Sequence, residues 1–221
     1  TLMLIAHVEQ DGVCLVRGGM ARIAMALERA ARSGGAHFRY GAHVAKIKIR
    51  DGRAIGVELA DGESLAAEAI VFNGDANALH TGLLGDSVTR AVPGTRVAER
   101  SLSAITWCVN ARTRGFPLEH HNVFFGSDPA REFGPIARGQ MPDEATLYIC
   151  AQDRHHGTPT GPERFEIIMN APAKTSQPLG EIDQCRARTF PQLARFGLNF
   201  DQPPPDTALT TPAGFAALHP G

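Results

Sequence analysis

Two short segments of the chain have residue types that could contact a ligand. Gly18-Gly19-Met20 stands directly before a helical pattern, and Asn73-Gly74-Asp75 directly follows a short apolar run. Glycines let a backbone approach a bound molecule closely, so the first segment is either a close-approach loop or an ordinary turn. In the second segment, Asn73 and Asp75 are either ligand contacts or the cap of a following helix. The motif G-x-G-x-x-G, which would bind a pyrophosphate at the start of a helix, does not occur.

Histidines form two pairs that could suggest a metal site, His120-His121 and His155-His156, the second close to Asp153. Both pairs fall in or beside predicted strands. Adjacent residues on a strand point to opposite faces, so neither pair should bind one ion together. The sequence therefore predicts no metal site.

The cysteines and the charge exclude several classes of protein. No two cysteines have the spacing C-x-x-C, and Cys108 and Cys150 lie inside apolar β-runs, which predicts inert buried thiols in a reducing compartment. The 22 basic and 23 acidic residues leave a net charge of −1, which gives no electrostatic footprint for nucleic acid. No apolar run approaches the roughly 20 residues that a membrane span needs.

The first third of the chain predicts helix and sheet in a definite order. A short strand is expected at residues 13–16, and a helix at residues 20–32 should pack its apolar face, which includes Ile23 and Leu27, on another apolar surface. Alternating strands then follow, with hairpin turns at Asp51-Gly52 and Asp61-Gly62. Residues 69–72 are apolar without alternation, which is typical of a strand buried on both faces, and a helix is expected at residues 75–84.

The remainder predicts a second region with strands, one helix and Pro/Gly-rich loops. Strands are expected at 102–109, 121–125, 146–151 and 165–170, and a helix at 182–196. A composition change near residues 93–100 indicates a domain boundary. Residues 1–10 read as the end of a helix and residues 208–221 show no closing helix or strand, so the chain is expected to be an internal fragment.

The order of these elements resembles the amine-oxidase-like flavoproteins, and within them the phytoene desaturase family. The motifs are Gly18-Gly19-Met20, the strand Val44-Ala45-Lys46-Ile47, the two DG turns and Asn73-Gly74-Asp75. The resemblance continues through residues 101–104, 115–118, 121–125 and 150–154, which are similar to the branch that acts on hydroxy- or methoxyneurosporene.

This resemblance implies a mixed α/β (α+β) fold that is part of an FAD-binding flavoprotein. The implied domains are a substrate-domain segment at 1–17, the second limb of the FAD-binding domain at 18–92 and a substrate-binding domain at 93–221. The cofactor is expected to be FAD. The resemblance places the glycine loop towards the flavin ring, Val44 against the adenine end and Asn73 to Asp75 near the pyrophosphate. The cofactor contacts that it implies are Gly18, Gly19, Met20, Val44, Asn73, Gly74 and Asp75.

The implied activity is C-3,4 desaturation of a carotenoid, with the flavin as hydride acceptor and no identified catalytic acid or base. Aromatic residues of the second region suit the wall of an apolar tunnel, although each could equally be ordinary core: Trp107, Phe116, Phe124, Phe125 and Tyr148. Of these, Trp107, Phe124 and Phe125 are the expected substrate contacts. We expect a cytoplasmic enzyme, peripheral to the membrane, that draws its polyene substrate from the bilayer. Two alternatives remain: another polyene desaturase or isomerase, and, for this chain alone, a non-catalytic module that binds an apolar ligand.

Overall fold

The computed structural model describes residues 10–12, 14–92, 100–154, 157, 159–173, 179–202, 205 and 208–220. It divides into two compact units, Thr1–His43 and Val44–Gly221. The predicted domain boundaries at 17/18 and 92/93 remain predictions. The helical end expected at residues 1–10 lies almost entirely outside the described residues.

The first unit is built around helix α1, Ala21–Ser33, which confirms the helix predicted at 20–32. It ends where the Gly34 amide bonds the Ala30 carbonyl at 3.1 Å and Gly35 takes a φ of +89°, a conformation that glycine adopts without strain. The apolar face is not packed as predicted, because Ile23 is 41% and Leu27 66% exposed. The strand expected at 13–16 is also wrong, since residues 14–16 have no regular structure.

An antiparallel three-stranded sheet begins the second unit, in the order β1 (Val44–Arg50), β2 (Arg53–Leu59) and β3 (Ser64–Ala66). The predicted turn between β1 and β2 is confirmed: Asp51 and Gly52 have φ of 50° and 74°, the paired positive values of a type I′ hairpin. The meander therefore follows from local turn chemistry.

The strand predicted at residues 69–72 does not form. Val71 is 93% exposed, and no described strand pairs with this segment. A strand buried on both faces requires neighbouring strands and covering layers, which the described residues do not provide here. Helix α2 (Ala76–His80) follows and is shorter than the predicted 75–84, ending near Gly82, which has a φ of +77°; a 3-10 turn then spans Asp86–Val88.

A five-stranded antiparallel sheet forms the centre of the second unit. Seven strands lie in this part of the chain, of which five form the sheet and two pair separately. In chain order they are β4 (Ser103–Ala111), β5 (Thr113–Gly115), β6 (His121–Phe124), β7 (Leu147–Ala151), β8 (Glu163–Ala171), β9 (Leu198–Phe200) and β10 (Leu209–Thr210). The sheet order is β10-β4-β8-β7-β6, and β5 pairs separately with β9. The four strands predicted in this region are confirmed as β4, β6, β7 and β8, whereas the short strands β5, β9 and β10 were not predicted.

Three helices accompany this sheet: α3 (Pro129–Ala137), α4 (Leu179–Arg195) and α5 (Pro212–Leu218). The prediction of α4 is confirmed, and the expectation of no closing element is wrong, because β10 and α5 lie within residues 208–221. Helix α4 packs on one face of the sheet, where the ring of Phe190 meets that of Trp107 edge-on at 5.8 Å. This face forms the core, and the mixed α and β fold class is confirmed. Among the described residues, no helix is both long and apolar enough to cross a bilayer.

Candidate functional site

The glycine loop of the first unit is an exposed turn that leads into α1. Gly18 and Gly19 have φ of 84° and 87°, and the Gly19 amide donates to the Val16 carbonyl at 2.9 Å. No atom of the described residues lies within 4 Å of the position a Gly19 side chain would occupy, and Met20 is 70% exposed. The conformation therefore requires glycine, and the surface in front of Gly19 is open. Contact of Gly18, Gly19 and Met20 with a cofactor remains a prediction.

The other predicted cofactor contacts lie in the second unit. Val44 begins β1, where it pairs with Leu59. The Asp75 carboxylate accepts a hydrogen bond from the Asn77 amide at 2.8 Å, so Asp75 is the cap of α2, one of the two roles the sequence allowed. At Gly74 an added Cβ would lie 2.4 Å from the Phe72 ring. The cofactor contacts proposed for Val44, Asn73, Gly74 and Asp75 remain predictions.

Two of the three aromatic residues predicted to contact substrate lie in the core. Trp107 is fully buried against Phe190, and Phe124 is buried beside Phe116 and Phe196. Phe125 directly follows β6 and is 71% exposed. The packing gives Trp107 and Phe124 a core role, and a substrate contact for all three remains a prediction.

The face of the five-stranded sheet opposite α4 is less covered, and we call it the open face. Its side chains come from alternate positions of four strands and, except for the buried Thr106, are exposed or half-buried. Strand register aligns one row of them straight across the sheet, from β6 through β7 and β8 to β4. The row contains His121, Cys150, Glu166 and Cys108, and its neighbours on the same face include Val123, Tyr148 and Ile168.

Burial and the nearby Glu166 carboxylate raise the pKa of the phenol and the two thiols beside Glu166. Burial, reinforced by Cys150 and Glu166, raises the pKa of the Tyr148 phenol to about 12. Burial is also the main cause that raises the pKa of the Cys150 and Cys108 thiols, with the Glu166 charge adding to it. A raised pKa disfavours the thiolate, the nucleophilic form, and the inertness of both thiols remains a prediction. Cys108 is nevertheless exposed rather than buried, because its β-run leaves one face of the sheet open.

One end of the open face brings two histidines and a cysteine together. The Nε2 atom of His120 lies 3.8 Å from the Cys150 Sγ atom, and one possible ligand atom from each of His120, His121 and Cys150 lies within 4.8 Å of the others. The Tyr148 hydroxyl contacts the Nδ1 atom of His121 at 2.7 Å. His120 lies in a bend before β6 and escapes strand alternation, so the two adjacent histidines do not face opposite ways as predicted. His155 and His156 lie outside the described residues.

A hydrogen-bonded turn on the buried side sets this bend. The Asn122 side chain accepts from the Glu119 amide at 2.9 Å and donates to the Glu119 carbonyl at 2.7 Å and to the Ile149 carbonyl at 3.2 Å. The carbonyl of Leu118, the residue before the turn, accepts a hydrogen bond of 2.9 Å from the Arg154 guanidinium. The turn is therefore attached to β7 through Ile149 and to the turn after β7 through Arg154.

Arg154 in turn makes a two-pronged ion pair with Glu163. The two contacts measure 2.7 and 2.6 Å, and the side chains are only 10% and 4% exposed. The sequence analysis did not identify this pair or the row across the open face. A usable signal was the alternation of polar with apolar residues in β7 and β8, which predicts that Tyr148, Cys150 and Glu166 share a face.

Comparisons with known proteins agree with the resemblance noted from the motifs. The family described as flavin containing amine oxidoreductase matches residues 2–108. Hydroxyneurosporene desaturase of Cereibacter sphaeroides is 56% identical over 220 residues, 99% of this chain and 44% of that protein. Hydroxyneurosporene desaturase of Rubrivivax gelatinosus is 48% identical over 229 residues, 100% of this chain and 43% of that protein.

A more distant relative, the zeta-carotene-forming phytoene desaturase of Myxococcus xanthus, is 29% identical over 190 residues, 84% of this chain and 37% of that protein. The chain thus spans less than half the length of the curated relatives it matches. Similarity to the hydroxyneurosporene desaturases extends over nearly all of it, beyond the matched family region. Residues 2–108 match the flavin-containing amine oxidoreductase family, and nearly the whole chain is similar to hydroxyneurosporene desaturases.

Proposed function

We propose that this chain is part of an FAD-dependent carotenoid desaturase that introduces the C-3,4 double bond of a hydroxyneurosporene-type carotenoid. The observation that carries the proposal is 56% identity to a hydroxyneurosporene desaturase over 99% of the chain. The names of the more distant relatives also concern carotenoids, which supports the substrate class. The proposal applies to the whole protein of which this chain forms a part.

The open face supports contact with a long apolar substrate. Val123 and Ile168 are exposed or half-buried there, and Tyr148 adds an aromatic ring whose raised pKa keeps it neutral. Apolar side chains on a rigid antiparallel sheet can orient a polyene and exclude water along its length. We therefore propose this face, rather than the Trp107 side of the sheet, as the wall that contacts the carotenoid.

The glycine loop fits close approach by a flat cofactor ring. Gly19 presents bare backbone with no described atom within 4 Å of an added Cβ, whereas at Gly18 the Arg22 side chain lies 3.1 Å from that position. Desaturation removes a proton and a hydride from neighbouring carbons, and bound FAD would supply the hydride acceptor. The residues of this chain would hold and orient the reactants. Because such a substrate is hydrophobic, we also propose that the protein contacts the bilayer peripherally.

The test is conversion of hydroxyneurosporene by the purified full-length protein, followed by the visible absorption spectrum. We expect flavin bands together with a red shift of the polyene that corresponds to one added double bond. An unchanged polyene spectrum despite bound flavin would refute the desaturase assignment, and a changed band shape without an added double bond would indicate an isomerase instead. A protein without flavin that binds the polyene unchanged would indicate a binding module.

A matched pair of variants tests the open face. Ile168 and Ile55 are both half-buried strand isoleucines, one on the open face and the other in the three-stranded sheet. We expect Ile168→Asn to raise the KM for the carotenoid while Ile55→Asn leaves it unchanged, with flavin content equal in both. Equal KM values in the two variants would contradict the role of the open face.

A further inference from the structure

We propose that His120, His121 and Cys150 form a binding site for a divalent d-block cation of the zinc type. The site lies at one end of the open face, the face proposed above to contact the polyene, and its test does not depend on the desaturase assignment. It rests on the position of three ligand atoms, on the turn that holds them and on the charge beside them.

The ligand set and spacing suit such an ion. Imidazole nitrogens and a thiolate bind zinc at roughly 2.0–2.1 and 2.3 Å, so tetrahedral geometry separates nitrogen from sulfur by roughly 3.5 Å. The His120 Nε2 and Cys150 Sγ atoms already lie 3.8 Å apart, and the His121 atom completes a triangle with no side longer than 4.8 Å. Small side-chain rotations therefore suffice to bring all three ligands to one ion.

The backbone around these ligands is already ordered. His121 pairs with Cys150 across β6 and β7, and the Ala151 amide donates to the His120 carbonyl at 2.9 Å. The hydrogen bonds of Asn122 to Glu119 hold the bend that turns His120 towards its neighbour. An ion therefore does not have to order this backbone when it binds, and preorganisation of this kind lowers the cost of binding.

The charge of the surroundings also favours a cation. Glu166 lies opposite Cys150 on the adjacent strand and contributes a carboxylate to the site's immediate surroundings. When the ion binds, the Cys150 S–H bond breaks, the proton passes to solvent and the sulfur lone pair forms the metal–sulfur bond, with no change of oxidation state. Three protein ligands leave a fourth position for water.

The experiment is a Co²⁺ titration of the reduced, metal-free full-length protein, with Zn²⁺ competition. Co²⁺ reports its ligands through visible d–d bands and a near-ultraviolet thiolate charge-transfer band, read against the same protein without cobalt. We expect one equivalent to produce both, and one equivalent of Zn²⁺ to remove them. Cys150→Ser should abolish the charge-transfer band, and His121→Gln should weaken Co²⁺ binding at least about 10-fold, as loss of a ligand costs no less than loss of its supporting partner.

Cys108→Ser provides the matched control, because Cys108 is a thiol of the same row, on the same face, and belongs to no possible metal-ligand group among the described residues. This variant should bind Co²⁺ as the unmodified protein does. Far-ultraviolet circular dichroism verifies that each variant is folded, and His121→Gln, at an exposed position, gives an answer if Cys150→Ser does not fold. No charge-transfer band in the unmodified protein, an undiminished band in Cys150→Ser, or unchanged affinity in His121→Gln would overturn the proposal.

Discussion

Replacing Arg154 by methionine should strongly destabilise the second unit. Methionine keeps much of the apolar stem of Arg154 but removes the guanidinium that pairs with Glu163, which is only 4% exposed. Glu163 would then be a buried carboxylate with no counter-charge, and the Leu118 carbonyl would lose its donor. Removing one partner of a buried pair costs about 3–5 kcal/mol, mainly because the remaining charge stays desolvated.

This cost can be measured by urea unfolding of the chain, followed by the fluorescence of Trp107. Trp107 is the only tryptophan of the chain and is fully buried in the same sheet. For an m-value of about 2 kcal/mol/M, a loss of 3–5 kcal/mol lowers the midpoint by about 1.5–2.5 M. If the unmodified chain is less stable than this loss, the Arg154→Met variant is unfolded even without urea, and the wavelength of its emission maximum shows this directly.

The chain contains a natural control for this experiment. Arg164 and Asp153 form a second ion pair one residue away at both positions, but its side chains are 65% and 28% exposed. Water and salt screen such a pair, so Arg164→Met should lower the midpoint far less than Arg154→Met. In addition, Arg154→Met combined with Glu163→Leu should be more stable than Arg154→Met alone. Equal effects of the two arginine substitutions, or a double variant no better than Arg154→Met, would refute the reasoning.

Three further predictions concern the cofactor loop, the helix cap and the aromatic pair. Gly19→Val should lower flavin content in the full-length protein, because valine disfavours a φ of +87°, and normal content would argue against a role for the loop. Asp75→Ala should lower the free energy of unfolding by about 1 kcal/mol in urea, whereas Asp75→Ser should lower it little, because serine can also cap a helix. Reduced flavin content in the serine variant would indicate that Asp75 contacts the cofactor in addition. Phe124→Ala should lower the free energy of unfolding by about 3–5 kcal/mol in the same assay, because Phe124 is buried. Phe125→Asp, at an exposed position, should leave stability nearly unchanged and impair only carotenoid conversion. Equal losses of stability in the two variants would contradict the burial assigned to these residues.

Much of the local structure could be predicted from the sequence. The turn at Asp51-Gly52, helix α1 and strands β4, β6, β7 and β8 follow from turn residues and hydrophobic periodicity, which act over a few residues. The short strands β5 and β9 could not be found this way. They are three residues each and pair across more than 80 positions, from Thr113 to Phe200, so no local pattern marks them.

The candidate sites were predicted less well, for a physical reason that the histidines illustrate. Strand alternation was applied to His120 and His121, but the alternation ends where Asn122 bonds back to Glu119 and bends the chain. The aromatic residues illustrate the same limit. Strand periodicity places Trp107 on the opposite face of the sheet from Thr106 and Cys108, but it does not indicate which of the two faces α4 covers.

The sequence by itself determined the family, the order of helices and strands and the two hairpin turns, because these depend on motifs and on backbone preferences of neighbouring residues. Only the tertiary structure decided which surfaces are buried. Whether Trp107 lies in the core, whether residues 69–72 pair as a strand, and whether His120 meets Cys150 all depend on segments distant in the chain. Burial and side-chain convergence are properties of those distant contacts, and local preference does not encode them.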